Sequence, residues 1–284
     1  MEDAEERLKA LLTPDFERRI KDLMTRSKSR TAERNVSYGV AEALALLYAA
    51  FSRYSMSEPF DFCSHCVSAE EVDELRRTPL HDLTFDQLST IAYNIIFTIG
   101  AVADFKFFLP RLIEAARYGA PYYIETVFTR FRDTEFDSWP TAERLAVGNY
   151  VRQQFEENVS SPIEQSSGPT NMDALICCAY YAGMLPEILA RWISDPRATA
   201  QSQLLEWILS EFGLPDDPTA YLRETHAPVQ ATNAYYDALG RETLLAWLKT
   251  SGAQRAVSDA CTLRGLSSER RWRLERILGA LDAT

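Results

Sequence analysis

Apolar residues return every three to four positions along most of the chain, and alternation over strand length is almost absent. That periodicity predicts amphipathic helices. Thr13 before Pro14 reads as a cap and first helical residue, with Phe16, Ile20, Leu23 and Met24 as a buried stripe. Ser68-Ala-Glu-Glu71 and Thr84-Phe-Asp-Gln87 fit the reciprocal cap, in which a hydroxyl and a Glu or Gln three residues on satisfy two orphan amides. The second cap opens a helix through Leu88, Ile91, Ala92, Ile95 and Ile96 that should stop at Gly100. Further helices are expected over residues 105–118, 121–132, 140–158, 172–182, 186–194, 198–212, 218–224, 231–239, 241–249, 253–263 and 268–281. Short helices with short links predict an all-α fold of irregular stacked hairpins or a compact multi-helix bundle, without significant sheet. A single domain over residues 1–284 is expected. The Ser- and Pro-rich stretch 160–170 is the best place for a subdomain boundary.

Composition narrows the class of partner. The 41 acidic against 30 basic residues give a net charge of −11, which repels phosphate backbones and anionic headgroups. Nucleic acid and membrane are therefore disfavoured, whereas a basic protein would be drawn in. The acidic opening Met-Glu-Asp-Ala-Glu-Glu-Arg lacks the apolar core of a signal peptide. No stretch reaches the roughly 20 apolar residues of a membrane span. An odd count of five cysteines, two of them adjacent, makes a poor disulfide framework. A cytoplasmic protein is expected.

Little in the sequence signals chemistry. Cys63-Ser-His-Cys66 could supply two thiolates to zinc, with His65 and His81 as further donors, but no second Cys pair follows. Zinc, thiol redox chemistry and ordinary packing all remain open for it. The redox reading lacks the preceding strand of a thioredoxin-like motif. Phosphate-binding glycine loops, paired helical histidines and the serine nucleophile motif are all missing. An enzyme built on scattered carboxylates has no local signature and stays open. Asp104, Lys106, Arg111 and Glu114 read as a solvated helix face, or else as charges that tie adjacent helices together or contact a partner. Asp133, Glu135 and Asp137 flank Phe136 and Trp139, so this segment is the candidate docking loop: carboxylates for complementarity, rings for anchorage.

Two resemblances add to this reading. Asp104-Phe-Lys-Phe-Phe-Leu-Pro-Arg-Leu-Ile-Glu114 is similar to a helix of a HEAT-type repeat. With Cys63-Ser-His-Cys66, Leu75-Arg-Arg-Thr-Pro-Leu80 and Thr98-Ile-Gly100, it also resembles an uncharacterised bacterial helical family over about residues 60–115. That likeness implies association with toxin or secretion loci and carries no catalytic residues. The combined expectation is a non-enzymatic immunity- or antitoxin-type protein that masks a basic toxin domain. The alternatives are a zinc-stabilised scaffold using Cys63 and Cys66, and a helical small-molecule binder.

Overall fold

In a computed structural model, residues 38–120, 122–161, 172–213, 230–231, 233–262 and 267–282 are described. The helix expected after Pro14, most of the 160–170 stretch and the helix expected over 218–224 lie outside them. The described residues form twelve α-helices and one antiparallel pair of two-residue strands, Phe212–Gly213 with Gln230–Ala231. The all-α expectation holds. No helix among the described residues is long and apolar enough to cross a membrane.

The chain divides into two compact units, residues 1–158 with 167–184, and residues 159–166 with 185–284. The first unit holds α1 (Tyr38–Phe51), α2 (Ala69–Arg77), α3 (Phe85–Asn94), α4 (Val102–Arg117), α5 (Ile124–Asp133), nearly all of α6 (Thr141–Ser160) and α7 (Met172–Tyr181). Both reciprocal caps form: Ser68 with Glu71 begins α2, and Thr84 with Gln87 begins α3. Each stabilises its helix by about 1 kcal/mol.

Helix α4 is the centre of this unit. Its sequence, Val-Ala-Asp-Phe-Lys-Phe-Phe-Leu-Pro-Arg-Leu-Ile-Glu-Ala-Ala-Arg, places apolar residues on every side, as a buried helix requires. Phe105, Phe108, Leu109, Leu112, Ile113, Ala115 and Ala116 are fully enclosed by α1, α3 and α5. Pro110 lies within the helix and neither starts it nor ends it.

The charges on α4 overturn the solvated-face expectation, because Asp104, Lys106, Arg111, Glu114 and Arg117 are all buried. Asp104 accepts hydrogen bonds from the Ser57 amide (2.6 Å), the Ser57 hydroxyl (3.0 Å) and the Ala101 amide (2.8 Å). Lys106 pairs with buried Glu143 of α6 at 2.9 Å, and its ammonium lies 4.2 Å from the centre of the Trp139 ring. Arg111 pairs with Glu114 at 2.8 Å and donates to the Leu83 carbonyl at 2.9 Å. Tyr48 donates to Glu114; burial, with the Glu114 charge beside it, holds this phenol well above its ordinary pKa. Arg117 reaches Gln154 and Glu157 on α6. Buried ions persist only when paired and hydrogen-bonded, so these contacts dictate how α4 docks.

The second unit contains α8 (Leu185–Ile193), α9 (Ala198–Glu211), α10 (Ala238–Leu248), α11 (Ser251–Cys261) and α12 (Ser268–Asp282). Trp192, Trp207 and Phe212 pack at its core, with Trp247 5.6 Å from Trp207 between ring centres. One expectation fails here: the helix expected over 231–239 is not found among the described residues 231 and 233–237, and α10 begins only at Ala238. Ala231 pairs as strand, the Asn233 side chain accepts from the Tyr235 amide in a turn, and Asp237 caps α10 through the Gly240 amide. Asn and Asp side chains that compete for backbone amides displace a helix in this way.

The ion pair between α4 and α6 is directly testable. Glu143→Ala strands Lys106 in the core and should cost about 3–5 kcal/mol in urea unfolding. The double replacement Lys106→Met with Glu143→Leu should recover most of that loss.

Candidate functional site

The docking segment folds as a tight corner between α5 and α6. Glu135 adopts a left-handed backbone (φ 52°), and residues Phe136–Ser138 form one turn of 3-10 helix. The Ser138 hydroxyl bonds back to the Glu135 carbonyl at 2.7 Å. This geometry turns Asp133, Glu135 and Asp137 out to solvent and Phe136 and Trp139 inward. Phe136 stacks on Phe131 with ring centres 4.5 Å apart, and Trp139 packs against Phe51, Phe105 and Phe131. The Trp139 indole N–H donates to the Thr134 carbonyl at 2.9 Å. The two rings expected to anchor a partner are therefore core residues. What they do is fix the corner that displays the three carboxylates.

Exposed aromatics come instead from the end of α3 and the loop that follows it. Helix α3 ends at Asn94, short of the expected stop at Gly100, and Ile96 takes φ 67°, a conformation that crowds a β-branched side chain. Three amides, of Phe97, Thr98 and Ile99, converge on the Asn94 carbonyl, while Gly100 donates to Asp61 at 2.7 Å. At Gly100 (φ 63°) a Cβ would meet Ile95, Asp104 and Phe60 within about 3.0 Å, so only glycine closes the loop there. The result leaves Phe97 58% and Tyr93 45% exposed.

Arg130 of α5 joins the loop to the acidic corner. Its guanidinium sits 4.3 Å from the Phe97 ring centre and donates to the Tyr93 carbonyl at 2.9 Å. Burial lowers the Arg130 pKa, opposed by the charge of Asp133 one turn along the same helix. Arg130 thus links Tyr93 and Phe97 to Asp133, and Glu135 and Asp137 are exposed in the corner that follows α5. Periodicity concealed it, because Ile95 and Ile96 extend the apolar stripe of α3. The available signal was Asn94 followed by Gly100, two residues that favour a helix end and a sharp turn.

The four candidate zinc ligands are not assembled. Cys63, His65 and Cys66 share a turn, with the Cys63 sulfur 3.8 Å from His65 Nδ1. His81 instead stacks on Tyr48, ring centres 4.2 Å apart. Among the described residues no three His, Cys, Asp or Glu side chains gather as a metal site would need. The turn offers at most three donors of its own, fewer than the four of a structural zinc site. The Cys63 thiol is held below its ordinary pKa by the hydrogen bond to the His65 backbone first, then by the His65 and Cys66 side chains.

Strain at Ile96 is measurable. A β-branched residue in the left-handed region costs about 1–3 kcal/mol, so Ile96→Asn should raise stability by about 1 kcal/mol in thermal or urea unfolding while leaving Phe97 accessible. Comparison with protein-family models, curated proteins and solved structures finds no match.

Proposed function

We propose that this chain acts by binding a basic protein, most concretely as an immunity- or antitoxin-type protein that masks a basic toxin domain in the bacterial cytoplasm. The observation that carries the reading is the link, through Arg130, of exposed Phe97 and Tyr93 with Asp133, the first of the three exposed carboxylates at the corner. Rings supply buried area at an interface and carboxylates supply complementarity, and the two are adjacent here. The net charge of −11 adds long-range attraction for a cationic partner. The resemblance of residues 60–115 to a bacterial helical family, with the association with toxin or secretion loci that it implies, agrees with this reading.

The two parts of the surface have separable kinetic roles. Long-range charge governs encounter, and desolvated rings govern residence. Reversing Asp133, Glu135 and Asp137 to Lys should slow association and flatten its dependence on salt. Phe97→Ala should leave association nearly unchanged and speed dissociation, by an amount equivalent to about 2 kcal/mol if the ring is a central anchor. Surface plasmon resonance against the partner recovered from the native host, after circular dichroism verifies folding, separates the two effects. Normal kinetics for both variants would move the interface elsewhere, and recovery of a small molecule in place of any protein would refute the reading.

A further inference from the structure

The turn at residues 63–66 has a use that partner binding does not require. It is anchored on both sides: the Cys63 amide donates to the Thr98 carbonyl at 2.8 Å, Phe62 bridges Ile99, and Val67 is buried immediately before the cap of α2. Within it, the Cys66 amide donates to the Cys63 carbonyl at 2.9 Å, closing a four-residue turn. Such turns hold their end Cα atoms within about 7 Å, which overlaps the roughly 4.4–6.8 Å that a disulfide spans. Cys63 is half-buried, whereas His65 and Cys66 are exposed. By contrast, Cys177 and Cys178 are enclosed within α7, and burial pushes the Cys178 thiol well above its ordinary pKa.

We infer that Cys63 and Cys66 form an exchangeable dithiol that reacts with external disulfides and closes into a Cys63–Cys66 disulfide. In the first step the Cys63 thiolate attacks one sulfur of a low-molecular-weight disulfide RSSR. A Cys63–S–S–R bond forms, the S–S bond of RSSR breaks, and RS⁻ leaves. His65 Nδ1, 3.8 Å from the Cys63 sulfur, is placed to take the proton that Cys63 gives up. In the second step the Cys66 thiolate attacks the Cys63 sulfur, expels the second RS⁻ and leaves the internal disulfide. Two electrons pass from the cysteine pair to RSSR, and the two thiol protons end on two RSH molecules. A dithiol reductant runs the sequence backwards. Transient disulfides of this kind are the sort found in reducing compartments. Because Thr98 adjoins Phe97, the exchange takes place beside the aromatic part of the docking surface.

The test uses the folded full-length chain with mixtures of oxidised and reduced glutathione, followed by alkylation, proteolysis and mass spectrometry of the peptide containing residues 63–66. The wild-type peptide should lose two hydrogens as the mixture becomes oxidising and regain them with dithiothreitol. Cys66→Ser should accumulate a stable glutathione adduct on Cys63. Cys63→Ser should form an adduct on Cys66 several-fold more slowly, since the contact with His65 Nδ1 at 3.8 Å is made by the Cys63 sulfur. Separate glutathione adducts on both cysteines of the wild type, or a pair that stays reduced where the urea-unfolded chain is oxidised, would overturn the inference.

Discussion

Helix α4 places five ionisable side chains in the interior of the first unit, and neighbouring elements must arrive where those charges need them. An unpaired charge in an apolar core costs several kcal/mol, more than the usual margin between competing packings. Lys106 accordingly selects Glu143 and with it the position of α6, while Arg111 and Glu114 select Tyr48 of α1 and the Leu83 carbonyl. Asp104 gathers the loop at Ser57 and its own helix start at Ala101. Apolar burial drives the collapse; the charges decide which collapsed arrangement survives.

The candidate surface is a product of the same interior. Trp139 receives the Lys106 ammonium on one face and packs with Phe131 and Phe136, and this cluster holds the corner from which Asp133, Glu135 and Asp137 project. Gly100 packs against Asp104 and Phe60, which brings the loop with Phe97 up beside the start of α4. Both halves of the surface therefore rest on groups that touch α4. A rigid platform reduces the ordering cost of association, which suits the proposed binding role.

Local signals in the sequence reported local structure well. The Ser68 and Thr84 caps act within one turn, and each is found where the residues predict it. Tertiary burial was harder to read. Asp104, Lys106 and Arg111 look like solvent residues until their distant partners are known, and such partners lie 37 positions away for Lys106–Glu143 and 66 for Glu114–Tyr48. Trp139 beside three carboxylates looks like an anchor because alternation between inward and outward side chains in a 3-10 corner has no long-range signature. Phe97 was hidden for the converse reason: its strained loop continues an apolar run that a helix could equally have used.

Amide hydrogen exchange across the first unit tests the central claim most directly, because the claim makes α4 the last element to open. Amides of residues 106–117 should exchange only through global unfolding, with opening free energies equal to that measured by urea denaturation and at least as high as those of α2 and α3. If α4 exchanges through a local opening at lower free energy than the helices around it, its buried charges do not hold the unit together.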